Sequence, residues 1–208
     1  MMIETNQIAT AALESGDEQK IIEQARDGDM GAFDVLIQRY QDQVYSVAYR
    51  LVGNEDDAAD VAQEVFLAFF RYLKAYRGDS KLSTWLHRIT VNMVKNLWSR
   101  RKRQGYDQTD PLDEGDDPED PALIEVIADP APNPRRRAAG AEIAEAIERK
   151  LLEIAPEFRE AIVLRFIEGL SYEEIAEVTK EPLGTVKSRI FRARKALKDR
   201  MKDYLQEI

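Results

Sequence analysis

The chain contains no cysteine, so neither disulfide bonds nor thiolate metal sites are available to it. No apolar run approaches the length of a membrane span. The N-terminus also lacks the basic region and apolar core of a secretory signal. These absences predict a soluble, cytoplasmic protein with no membrane insertion. The single histidine, His87, is expected at a surface or boundary position, without a catalytic role. Basic residues are in the minority, 30 against 39 acidic for a net charge of −9, which on its face argues against a nucleic-acid partner. That deficit is local. Residues 104–134 hold ten acidic residues and no Lys or Arg, and residues 1–18 hold four acidic and none basic. Without those fourteen, 25 acidic residues face 30 basic ones, so two mildly basic modules carry two acidic segments.

Hydrophobic periodicity assigns an all-α fold of two small helical domains. Residues 1–16 show no sustained period and are expected to be disordered. Residues 17–103 read as one domain of four helices. Ile21, Ile22 and Ala25 mark the first helix, and Phe33, Leu36, Ile37, Tyr40, Val44, Val47, Ala48 and Leu51 line one side of the second. Asn54 is placed to cap the third, with Asp56 and Asp57 in its first turn. The fourth carries Leu82, Trp85, Leu86, Ile89, Met93 and Leu97 inward and presents Arg88, Asn92, Lys95 and Ser99 on its opposite side. Residues 104–137 form an acidic, Pro-rich flexible linker, in which Leu123, Ile124, Val126 and Ile127 could be a docking segment. Residues 138–208 resume the helical pattern, with Pro156 opening a helix.

Within that last module, residues 169–195 read as two helices joined by a tight turn. Ser171 and Glu174 form a capping box, Ile175, Ala176 and Val178 are the buried side, and Pro182 suits the first position of the next helix. Val186, Ile190, Ala193 and Leu197 then recur at the spacing of one buried face. Away from that face lie Ser188, Phe191, Arg192 and Lys195, with Lys187 at the edge. Cations for guanine edges and phosphates, a hydroxyl, and a phenyl ring for a thymine methyl are the inventory of a recognition helix in a DNA major groove. Thr185 sits at the helix start, where side chains and backbone N–H groups can hold a phosphate.

Three segments, residues 57–70, 76–96 and 169–197, resemble in the right order the extracytoplasmic-function group of sigma-70 family bacterial RNA polymerase sigma factors. The resemblance covers roughly residues 18–103 and 138–203. It implies a region 2 domain at 17–103 that binds core RNA polymerase and the minus-ten promoter element, and a region 4 domain at 138–208 that binds the minus-thirty-five element. Asp57, Asp60, Gln63 and Glu64 resemble the polymerase-docking face; the same residues also read as a solvated helix start satisfying the macrodipole. Tyr76, Arg77, Asp79, Ser80 and Lys81 fall on or beside the loop where relatives hold a flipped base, and Arg88, Asn92, Lys95 and Asn96 follow on the helix. Asn92, offering both donor and acceptor, is the first choice for base reading, whereas Trp85 reads as core. Arg100 to Arg103 suit phosphates or simply a helix C-terminus.

The minus-thirty-five readers of the family map onto Arg165, Tyr172, Glu173, Lys187, Ser188, Phe191, Arg192 and Arg194. Relatives often have arginine where this chain has Lys187, and lysine lacks the planar fork of a bidentate guanine contact. The expected partners are core polymerase, promoter DNA and an anti-sigma factor, with no cofactor or metal and no enzymatic activity. Two other readings compete with this one. A stand-alone helix-turn-helix regulator would bind duplex DNA without polymerase, and a carboxylate-metal nuclease would use Asp56, Asp57, Asp60 and Glu64. The acidic linker, for its part, either mimics the charge of RNA in a polymerase channel or is only a solubilising tether. Converting Asp113, Glu114, Asp116 and Asp117 to Asn or Gln separates these. Lower initiation in reconstituted transcription follows from mimicry, and unchanged initiation leaves the tether.

Overall fold

In the computed structural model, the structure describes residues 15–103 and 146–206, all helix, turn and connecting loop without a strand. The expected N-terminal extension (apart from Ser15 and Gly16, which open the first helix), the acidic linker with its Leu123–Ile127 segment, and residues 138–145 lie outside the described residues.

The first domain is built from α1 (Ser15–Arg26), α2 (Met30–Val52), α3 (Glu55–Tyr72) and α4 (Leu82–Arg103). Local chemistry sets the boundaries. The Asp29 carboxylate accepts from the N–H groups of Gly31 and Ala32 at 2.8 and 3.1 Å and so caps α2. Asn54 caps α3 through the Asp57 N–H at 2.9 Å, as the sequence predicts. Between them Gly53, at φ +83°, closes α2 in the left-handed region. A Cβ there would strain the backbone and would lie 2.6 Å from a Leu152 methyl, so the Leu152 side chain would have to shift. The apolar face predicted for α2 is buried except for Ile37, which is partly exposed, and an aromatic stack holds the centre: Phe33 lies 5.0 Å from Phe69, and Trp85 packs edge-on to Phe69 at 5.9 Å. Trp85 is core, as expected.

The second domain contains a helical segment over residues 146–151, which we call α5, and then α6 (Pro156–Ile162), which runs into a π-turn (Val163–Ile167). It finishes with α7 (Tyr172–Thr179) and α8 (Leu183–Gln206). Pro156 opens α6 as expected. Pro182, in contrast, stands one residue ahead of α8, its carbonyl accepting from the Val186 N–H at 3.1 Å.

The two domains share one continuous core. Helix α4 is buried on two sides, by its own domain and by α7, which makes its buried set wider than the single predicted stripe: Thr84, His87, Thr90, Val91 and Val94 join Leu82, Trp85 and Leu86. His87 is therefore not a surface or boundary residue. It is only 4 % exposed, because the second domain covers the side of α4 on which it lies. Arg159 ties the two cores together. Its buried guanidinium donates to the carbonyls of Leu151 (2.9 Å) and Leu152 (2.8 Å) in its own domain and of Leu51 (2.7 Å) at the end of α2. These are carbonyls that helix ends leave without intrahelical partners. Arg159→Met should therefore lower stability in urea unfolding by about 3 kcal/mol, since each buried acceptor left unsatisfied costs about 1–3 kcal/mol.

Candidate nucleic-acid interface

The helix-turn-helix is assembled by short-range contacts. Gly169, at φ +71°, turns the chain out of the π-turn. The Ser171 hydroxyl then accepts from the Glu174 N–H at 3.1 Å while the Glu174 carboxylate accepts from the Ser171 N–H at 2.8 Å, completing the predicted capping box. That backbone hydrogen bond, ahead of the opposing effect of burial, holds the Glu174 carboxyl below its usual range. Lys180 ends α7 in the left-handed conformation at φ +58°. On α8, Val186, Ile190, Ala193 and Leu197 are buried as predicted.

The opposite face of α8 is open to solvent. Thr185, Lys187, Ser188, Arg192 and Lys195 are exposed along it, with Phe191 and Arg194 half-buried, so the phenyl ring is less open than expected. Ser188 donates to the Thr185 carbonyl at 3.0 Å, which orients its hydroxyl at the start of the face. Glu173 is exposed at the start of α7. Arg165 is held elsewhere: it donates to the Leu170 carbonyl at 2.7 Å and stacks over Tyr172 at 4.9 Å, which splints the turn.

The residues expected to meet the minus-ten strand are arranged differently. Arg77, Asp79 and Lys81 are exposed on the loop before α4, and Asn92 and Asn96 are exposed on α4. Tyr76 is not offered to a base in this arrangement. It is 6 % exposed, with its ring 5.2 Å from Trp85 and its hydroxyl donating to the Ser80 carbonyl at 2.5 Å. Burial raises its pKa accordingly. Lys95 points at the second domain, with its Nζ 3.1 Å from Oε1 of the buried Glu160, an ion pair not aligned as a hydrogen bond. Burial raises the Glu160 pKa despite Lys95 and Arg189 nearby. Arg88 faces Glu177 of α7 at 3.8 Å. A cleft of about 480 Å³ lies between the loop and α7, with Glu18, Asp79, Glu174 and Glu177 among its walls against the single cation Lys81.

On α3, Asp60, Gln63 and Glu64 are exposed, while Asp57 is half-buried and ion-paired with Arg101. Leu67 and Phe70, apolar residues of the same helix, continue the exposed side at 50 % and 54 % exposure. Among the described residues no three carboxylate or histidine side chains converge in a way that could hold a metal ion. No helix among the described residues is long and apolar enough to cross a membrane.

The capping box gives the helix-turn-helix a pH dependence of definite sign. Because the folded Glu174 pKa is depressed, its contribution is present above the unfolded carboxyl range and is lost as pH falls through the lower folded value. Ser171→Ala should cost about 1 kcal/mol at neutral pH, read as faster amide exchange in α7, and the deficit should narrow on acidification.

Comparison with known proteins agrees with this geometry. The Sigma-70 region 2 family matches residues 36–104, and the Sigma-70 region 4 family matches residues 144–197. The RNA polymerase sigma-H factor of Pseudomonas aeruginosa is 37 % identical over 191 residues, covering 91 % of this chain and 96 % of the relative. The ECF RNA polymerase sigma-E factor of Escherichia coli K12 is also 37 % identical, over 190 residues with the same coverage. Among solved structures, CnrH in complex with the cytosolic domain of CnrY superposes with a TM-score of 0.61 at 26 % identity, covering 89 % of this chain and 97 % of that one. With both sigma regions matched in order and relatives aligned along nearly their whole length, the chain belongs to the extracytoplasmic-function group of the sigma-70 family of RNA polymerase sigma factors.

Proposed function

We propose that this sigma factor docks on core RNA polymerase through the α3 face of Asp57, Asp60, Gln63 and Glu64, with Leu67 and Phe70 extending the contact. Residues 17–103 form the unit that also engages the minus-ten element, and residues 138–208 the unit that reads the minus-thirty-five element, joined by the acidic linker 104–137. The observation that carries this reading is the exposed α8 face of Thr185, Lys187, Ser188, Arg192 and Lys195 on a capped helix-turn-helix, in a chain that also matches region 2. Lysine and arginine there reach phosphates and base edges, and the hydroxyls add donors and acceptors. Asn92, exposed on α4, reads an unpaired base, and Arg77, Lys81, Arg88 and Lys95 supply cations for the strand. The chain acts in the cytoplasm and is not itself an enzyme, since nucleotidyl transfer belongs to the polymerase. An anti-sigma protein is its natural antagonist, and the superposed structure of CnrH likewise holds a second protein, the cytosolic domain of CnrY.

Reconstitution with core polymerase on a promoter library tests the reading directly. Promoter-specific transcripts are expected, and their absence where core is active refutes it; duplex binding without polymerase dependence would instead favour a stand-alone regulator. Asn92→Ala should impair open-complex formation more than duplex binding, as followed by permanganate reactivity of unpaired thymines. Arg192→Ala should weaken the upstream contact by about 1–3 kcal/mol if it makes a bidentate base contact.

A further inference from the structure

The recognition helix α8 is held to its own domain by an apolar stripe and by one polar cluster. The stripe is Val186, Ile190, Ala193 and Leu197, all buried. Apolar burial is non-directional, so it presses α8 onto its neighbours but resists rotation about the helix axis less than a directed contact does. The cluster centres on Arg189, which follows Ser188 but turns its guanidinium away from the open face, leaving the side chain 21 % exposed. One guanidinium nitrogen lies 2.5 Å from the carboxylate of Glu181, in the turn between α7 and α8, and 4.0 Å from that of Glu160 on α6. None of these three residues belongs to the set expected to meet DNA.

Glu160 is 1 % exposed, and neither of its carboxylate oxygens has an aligned hydrogen bond. The charged groups around it are Lys95 of α4 at 3.1 Å, Arg189 of α8, and Glu181 of the turn. A carboxylate buried in this way holds the domain together no better than a well-packed apolar side chain of similar volume. What it supplies is direction. A guanidinium is a rigid planar fork, so two carboxylates on different elements fix its orientation where one would not. Pinned at Arg189, α8 cannot rotate without drawing away from Glu181 or Glu160. Lys187, Ser188 and Arg192 ride on the same turn of helix, and a binding constellation acts only when held within about 0.5 Å and 10–20°.

We propose that Glu160 and Glu181 are positioning residues for promoter recognition: through Arg189 they set the rotation of α8, and with it the register of Lys187, Ser188 and Arg192 on the base edges of the minus-thirty-five element. All three act without touching DNA, and all three belong to the second domain, so the contact from Lys95 is not required. Their contribution is to discrimination between base pairs and not to general grip. Long flexible cations reach phosphates over a range of helix rotations, whereas base edges demand one register. This rests on the minus-thirty-five reading of α8 made above.

The test uses the full chain with core polymerase on a promoter drawn from the library, and on copies with single base-pair substitutions in either element. Discrimination is the ratio of initiation on the intact promoter to initiation on a substituted copy. Arg189→Gln should lower discrimination in the minus-thirty-five element about tenfold, the scale of one bidentate base contact. Discrimination in the minus-ten element should stay at the wild-type value, and so should the salt dependence of promoter binding, because phosphate contacts are kept. Arg189→Lys, which keeps the charge but not the fork, should recover part of the loss. The double variant, Glu160→Gln with Arg189→Gln, also removes the buried charge, so thermal unfolding should find it at least as stable as Arg189→Gln alone. Its discrimination should nevertheless stay as low, since both changes act through one contact. Discrimination that recovers together with stability in the double variant would reduce the cluster to a structural role and overturn the proposal. Wild-type discrimination in every variant would overturn it as well. A wild type that initiates on the promoter but ignores every minus-thirty-five substitution refutes the reading of α8 itself, and the proposal with it.

Discussion

Burial of α4 on two sides is the constraint from which the rest of the arrangement follows. One side of the helix completes the first domain through Leu82, Trp85 and Leu86, and the other turns His87 and Lys95 toward the second domain. A helix used in this way cannot present a full face to a ligand. Its cations Lys95 and Arg88 meet carboxylates of the second domain, Glu160 and Glu177.

The contacts that fix the domains together have unequal strengths, and the inequality matters for function. Arg159 is buried and the Gly53–Leu152 contact is close, so they set where the domains meet. The charge pairs are spread over partly exposed groups such as Arg88 and Glu177, for which water competes well and which are worth little singly. Such a seam has a defined geometry and a modest total strength.

Much of this was legible in the sequence wherever the determining physics is local. Ser171 and Glu174 are three residues apart, and the apolar period of α2 runs along a single helix, so caps, turns and buried faces could be read directly. The resemblance to sigma factors rests on the same kind of contiguous segment. What could not be read was pairing across the seam. Glu168 and His87 are 81 residues apart, and neither period nor spacing says that a lone histidine will be covered by a glutamate from a π-turn. Arg159 reads as one more cation on an amphipathic helix until the Leu51 carbonyl is seen beside it. Tyr76 is a related case: beside a loop expected to hold a base an aromatic ring suggests stacking on DNA, whereas here its ring packs on Trp85. Leu67 and Phe70 fit a helical pattern equally well inside or outside, and only the finished bundle leaves them exposed.

The central claim is that the two domains close on α4 through one continuous core tied by Arg159. The absence of native cysteine makes a direct measurement possible, because Lys74→Cys and Lys202→Cys place one dye on each domain without competing thiols. Single-molecule energy transfer between them should be high in the free chain and fall in the Arg159→Met variant, which loses the buried tie. Transfer that is already low in the free wild-type chain would contradict the account.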